Sequence, residues 1–202
     1  MKKLLIAALL LASATSSYAQ ISVGAGYRGT YKTYNYSNVW YNGFYLGADY
    51  NYALSEYFGV ASGLYFARQS HSETVEADNG LSVDTTIKDA YLSVPLYFTA
   101  GYTVAKDLRV SLFVGPMISM DIASSIDTKT TSLGATAKGS VDSFESDPNY
   151  KRFDCLVGGG LAIDYKFVRL SAGYNYGLLD RDADADGTLH RHGLHIGLAY
   201  IF

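Results

Sequence analysis

A single cysteine, Cys155, stands among 202 residues, so no disulfide can form within the chain. There are only three prolines. After the first dozen residues no long apolar run occurs, which excludes a transmembrane helix, and mean hydropathy is near zero. Charged residues make up 17% of the chain and the net charge is −3, which points away from a nucleic-acid partner. No residue pattern calls for a cofactor. What is abundant is tyrosine (19) and glycine (20), a pairing that suits interfacial aromatics on one side of a strand and small residues on the other.

The N-terminus reads as an export signal. Lys2 and Lys3 precede the run Leu4–Ala12, and Ser17-Tyr18-Ala19 offers small residues where a signal peptidase cuts. The run is too short to span a bilayer, and no cysteine follows the cut, so neither an anchor nor a lipoprotein is indicated. The sequence predicts a signal peptide over 1–19 and one domain over 20–202.

The last ten residues carry the clearest pattern. Leu194, Ile196, Leu198, Tyr200 and Phe202 share one parity, and Gly193, His195, Gly197, Ala199 and Ile201 the other. Alternate strand residues face opposite ways, so one face is large and apolar and the other mostly small or polar. The same alternation runs through 21–28, 43–52, 58–66, 91–102, 108–119, 153–165 and 168–178. That predicts eight strands, the first one short.

Connections alternate between tight (54–56, 105–107, 166–167) and long and polar (near 29–41, 69–89, 122–152 and 179–191). This is the pattern of an all-β, eight-stranded antiparallel transmembrane barrel of the outer-membrane type, with short periplasmic turns and longer extracellular loops. An even strand count puts both termini on the periplasmic side. A soluble lipocalin-like barrel is the rival; it would hold the large residues inside and show the polar ones to water. Pro95 and Pro116 fall within predicted strands, where each predicts a bulge or a local gap in the ladder.

Short motifs then resemble a known family. Tyr91-Leu92-Ser93-Val94-Pro95-Leu96, Gly115-Pro116, Gly158-Gly159-Gly160-Leu161, Tyr174-Asn175-Tyr176-Gly177-Leu178 and the terminal Gly197-Leu198-Ala199-Tyr200-Ile201-Phe202 are similar to the PorT-like outer membrane protein β-barrel domain family, within the porin-family small barrels. The resemblance spans the whole chain after the signal. It implies an outer-membrane barrel. The namesake group is implicated in protein export across the outer membrane, but no catalytic signature is present to transfer a functional residue.

The candidate chemistry lies in four places. Arg28, Asp49, Arg109, Asp121, Asp154, Asp164 and Arg169 share the inward parity, with Tyr45, Tyr65, Tyr91, Tyr97 and Phe113. An eight-stranded interior is just wide enough to be filled by side chains, so a plugged lumen is expected, with a narrow solute path as the alternative. Asp182, Asp184 and Asp186, followed by Gly187, match the first half of a calcium loop; the closing glutamate is absent, since Gly193 stands there. That leaves a solvated acidic loop or a low-affinity metal site.

His71, His190, His192 and His195, with Ser70, Ser72, Ser124 and Ser125, raise a lipid A-modifying enzyme as a second alternative; the expectation is that the protein is not an enzyme. Tyr31, Tyr34, Tyr36, Tyr41 and Trp40 are side chains that anchor interfaces. Tyr50, Tyr52, Phe98, Tyr102, Tyr165, Tyr200 and Phe202 form one predicted girdle, and Tyr27, Phe44, Phe66, Phe153, Tyr174 and Tyr176 the other, with Cys155 on the lipid-facing parity.

The reading is a monomeric barrel with a structural or surface-interaction role, worked chiefly by the loops near 29–41 and 122–152. Its expected partners are outer-membrane lipid and lipopolysaccharide, the barrel-assembly machinery through the C-terminal strand, and an extracellular or envelope protein.

Overall fold

Every predicted strand forms, and most continue well past the residues that alternate. The computed structural model describes residues 19–34, 37–77, 80–132, 135–146, 151–181 and 189–202. Among these lie β1 (Ala19–Tyr34), β2 (Ser37–Ala53), β3 (Phe58–Ala77), β4 (Leu81–Ala105), β5 (Leu108–Ser132), β6 (Ala135–Asp142), the single turn α1 (Ser143–Ser146), β7 (Phe153–Tyr165), β8 (Val168–Gly177) and β9 (Leu189–Ile201). The predicted signal peptide lies outside the described residues, apart from Ala19.

Eight of the strands close a ring. Each of β1 to β5 pairs antiparallel with the next, β5 pairs with β7, β7 with β8, β8 with β9, and β9 returns to β1. Closure leaves the ring no edge strand. Its outer face is apolar: Leu112 and Leu198 are each 59% exposed and Leu64 and Leu96 each 55%, with valine, isoleucine and aromatic residues around them. So continuous an apolar surface excludes the soluble rival. Both predicted girdles lie on this face.

At one end the connections are tight. Ala105 pairs with Leu108 and Tyr165 with Val168, leaving two-residue turns in which Asp107 (φ 65°) and Lys166 (φ 53°) take the left-handed conformation. The Lys166 amide donates to the Asp107 carbonyl at 3.0 Å, tying the two turns together. The chain end joins them, as the amides of Ile201 and Phe202 donate to the carbonyls of Phe167 and Ile21.

At the other end the long polar loops are corrected. Residues near 29–41 and 69–89 are the continuations of β1 into β2 and of β3 into β4, and 122–152 holds the end of β5 and a ninth strand, β6. The apolar alternation stops there, but the backbone ladder does not. Ser, Thr and charged side chains on both faces hide a strand from a parity reading, while β-branched Thr favours it. The first strand is not short for the same reason: Lys32 and Thr33 carry it on to Tyr34.

The prolines behave as predicted, by gaps rather than bulges. The β3–β4 ladder is broken between Ser62/Leu96 and Tyr65/Ser93, at Pro95, and the β4–β5 ladder between Pro95/Met117 and Phe98/Val114, at Pro116. Neither gap changes the register. The shifts fall elsewhere: Ile122 is the extra residue in β5, and Val104 the one in β4 near its turn.

Candidate functional site

The lumen is filled at three levels. Near the short turns, Arg169 binds Asp164 through two parallel bonds of 2.6 and 2.9 Å, and Arg109 donates to the Glu56 carbonyl at 2.9 Å. Asp49 accepts from the hydroxyls of Tyr65 and Ser22. In the middle, aromatic rings meet edge to face or tilted: Tyr45 with Tyr65 at 5.7 Å and His195 at 5.9 Å, and Phe113 with Tyr97 at 5.1 Å. These rings lie where glycines on neighbouring strands leave room. A Cβ on Gly197 would strike Tyr45, one on Gly47 Tyr65, and one on Gly160 Phe113. A cavity of about 90 Å³ remains among them.

The outer level is ionic. Asp121 accepts from Arg181 at 2.6 Å and Arg191 at 2.9 Å, and Arg191 reaches Asp154 at 3.1 Å; all four side chains are at most 2% exposed. Lys32 pairs with Asp89 at 2.6 Å, and Ser124 and Gln69 also donate to Asp89. Pairing makes such burial tolerable. Arg181 follows β8: its carbonyl accepts from the Lys151 amide and its guanidinium donates to the Lys151 carbonyl.

All seven predicted inward charges therefore face the lumen. Lys32, Asp89, Asn175, Arg181 and Arg191 were not anticipated. Lys32 and Arg191 continue the parities of Arg28 and His195 past the apolar stretch, and that extension is the signal that finds them.

The outer sheet is the second candidate. Above the ring, β3, β4, β5 and β6 form a four-stranded sheet. β3 pairs with β2 only as far as Ser70, and β6 pairs with β5 alone, so among the described residues the sheet has two open edges. Every β6 side chain is exposed. Across the strands Thr74 and Lys129 donate to Asp84, and Lys88 and Ser140 to Asp127. The Thr74 hydroxyl, then Lys129, holds the Asp84 carboxyl below its ordinary range, and Lys88, then Ser140, does so for Asp127.

The predicted interface aromatics separate. Tyr31 and Trp40 pack edge to face at 4.3 Å on the outer face. Tyr41 is corrected: at 4% exposure it faces inward, with Lys32 over its ring at 4.6 Å, because β2 continues through it on the parity of Tyr45. Tyr36 and the side chain of Tyr34 lie outside the described residues, as do Asp182, Asp184 and Asp186.

The histidines and serines do not converge among the described residues. His71 Nδ1 lies 2.8 Å from the Trp40 carbonyl, Ser72 meets Thr86, and Ser124 bonds Asp89 and Ser143. His192 packs on Tyr176 at 4.4 Å. Cys155 is a free thiol, partly exposed on the outer wall.

A closed ring of eight antiparallel strands, apolar outside and ion-paired inside, defines a transmembrane β-barrel. The sequence matches the family profile "Outer membrane protein beta-barrel domain" over residues 12–182, and the chain belongs to that family, which places it in the bacterial outer membrane. Solved structures of similar fold include Ail, the attachment invasion locus protein of Yersinia pestis, in complex with the heparin analogue sucrose octasulfate (18% identity, 92% of this chain and 99% of that one, TM-score 0.49). Neisserial surface protein A (11% identity, 89% and 96%, TM-score 0.47) and OprG of Pseudomonas aeruginosa (13% identity, 92% and 96%, TM-score 0.46) are others. No curated protein matches the sequence.

Proposed function

We propose that this barrel is a surface-interaction protein, a non-enzymatic one, in which the ring is the anchor and the four-stranded outer sheet the working part. The observation that carries this reading is β6: eight residues, all exposed, paired on one side only among the described residues. An open strand edge offers backbone donors and acceptors to an extended segment of a partner protein. The ion-paired outer level argues against a solute path, since Arg181, Arg191, Asp121 and Asp154 cross the mouth.

Within the family we place the chain on the PorT-like side, from the short motifs quoted above. The termini face the periplasm with the short turns, and the lipid-facing Tyr200 and Phe202 of the last strand and chain end are what the assembly machinery and outer-membrane lipid meet. Lipopolysaccharide surrounds the outer girdle.

The test compares cells carrying the intact barrel with cells in which residues 126–141 are replaced by a two-residue turn. Surface crosslinking is followed by mass spectrometry, and heat-modifiable gel migration controls for folding. The intact barrel is expected to hold an extracellular or envelope protein that the shortened one loses. Identical crosslinks from both would set the reading aside.

A further inference from the structure

Independently of the outer sheet, Arg28 is a buried lumen cation with no counter-ion among the described residues. The other buried cations of the outer and short-turn levels are matched: Lys32 by Asp89, Arg181 and Arg191 by Asp121 and Asp154, and Arg169 by Asp164. Arg28 is 7% exposed, and among the described residues it has no ion pair or hydrogen bond; its Nε is buried without a partner. Its guanidinium lies over the face of Tyr91, at 5.5 Å. Asp49 lines the same cavity, but it stands about 20 Å further along β2 from the residue opposite Arg28, held by Tyr65 and Ser22. An unpaired guanidinium buried to this degree is costly.

Two further donors lie on the same wall. Thr30 and Asn175 are both 0% exposed, and Thr30 Oγ1 and Asn175 Nδ2 have no hydrogen-bond partner. The Asn175 amide is oriented, because the Tyr97 hydroxyl donates to its Oδ1 at 3.2 Å and so leaves Nδ2 as the free end. Gly193 lies opposite Thr30 on one side and Asn175 on the other, so these three positions share one row of the inner wall, with Arg28 two residues away along β1. The Asn175 amide leans away from Gly193, over Gly158 of β7.

Gly193 makes that row a notch. From the point where a Cβ would stand on it, Thr30 Oγ1 is 3.4 Å away and Arg28 Nη2 3.5 Å. Arg28 also lines the cavity of about 90 Å³, which exceeds the roughly 10–15 Å³ that one water needs.

We propose that this notch binds a small monovalent anion of halide size, held by the Arg28 guanidinium and the Thr30 hydroxyl in front of Gly193. Beyond the Gly29 carbonyl, 3.1 Å from the same point, the side chains there supply donors and one net positive charge. A compact anion satisfies both donors, whereas water leaves the charge unmatched. A divalent oxyanion would exceed the single positive charge. The anion neutralises the buried Arg28 and ties β1 to β9 at that row.

The test uses the refolded full chain in detergent, with its thermal midpoint followed as sodium chloride replaces sodium gluconate at constant ionic strength. Gluconate is too large for the notch. Chloride is expected to raise the midpoint saturably. Thr30→Val, which keeps the shape, is expected to raise the half-saturating chloride about tenfold, and Arg28→Leu to abolish the response. Should Arg28→Leu fail to fold, Gly193→Ala, which fills the notch and keeps the charge, takes its place with the same expectation. In crystals grown with bromide, an anomalous peak is expected in front of Gly193. Equal midpoints in chloride and gluconate, an unaltered response in Thr30→Val, or no bromide peak at the notch would each overturn the proposal.

Discussion

The ring and the sheet above it share strands, yet they are held together by different physics. β3, β4 and β5 run through both regions without interruption. In the ring, side chains divide by parity: Leu92, Val94 and Leu96 face lipid, while Tyr91, Ser93 and Pro95 face the lumen. Above it the division dissolves. Ser72, Thr74, Thr86 and Thr128 occur among Glu73, Asp84, Lys88 and Lys129, with water on both faces. The difference shows that the backbone ladder decides where a strand runs, and the side chains decide only what medium each stretch tolerates. In lipid the ladder has to close on itself. In water it can end at an open edge, and β6 does so.

The contrast can be tested at matched positions. The largest effect is expected from Asp121→Asn, which leaves Arg181 and Arg191 buried beside a neutral amide. Breaking a buried pair in this way costs about 3–5 kcal/mol, whereas Asp84→Asn in the outer sheet should leave the unfolding midpoint of the ring unchanged. Urea titration of the barrel in lipid vesicles, followed by tryptophan fluorescence and gel migration, measures both.

Leu170→Arg ranks next. Its side chain is 45% exposed on the lipid face, and an arginine there costs about 2–4 kcal/mol if it lies at the bilayer midplane. Val141→Arg, 52% exposed on β6, faces water and should be neutral in the same titration. A large loss from Val141→Arg would place β6 in the membrane and remove the distinction between the regions.

Glycines give the third pair. Gly197→Leu drives a side chain into Tyr45 and the Ala25 carbonyl, and overpacking of this kind costs about 1–3 kcal/mol. Gly139 has nothing within 4 Å of its Cβ position, so Gly139→Leu should fold with unchanged yield.

The smallest effect is on acidification. Asp84 and Asp127 have carboxyls held below their ordinary range, so their contribution is complete above that range. It is lost as the pH falls through the lowered values, below about 4. Amide exchange should quicken at the tips of β3 to β6 in that acid window, while the ring's exchange keeps its neutral-pH pattern.

The ring was legible because lipid imposes a period of two on every strand that crosses it. Eight segments and seven inward charges follow from that period, and the three tight connections from the breaks between its segments. The outer sheet was not legible, because Thr and Ser beside charged residues satisfy a strand in water without any period. Arg181 was hidden for another reason: it lies in a connection, and only the folded path of the chain brings it to Asp121. The Gly193 notch depends on two strands at once. Arg28 could be placed by parity, but that Thr30 faces Gly193 follows from the β1–β9 register, which no local pattern encodes.

The hairpin of β3 and β4 has one further consequence. Its register is continuous from Tyr65/Ser93 to Ala77/Leu81, where a turn with Gly80 at φ 76° ends it. From Ala67 to Ala77 it rises about 34 Å along the strand direction. Adding or removing one residue pair at the tip would lengthen or shorten this stalk by about one 3.4 Å step, with every pairing beneath it untouched. The barrel thus sets its depth in the bilayer and its reach beyond it by separate stretches of the same strands, and the reach is adjustable like a telescoping mast.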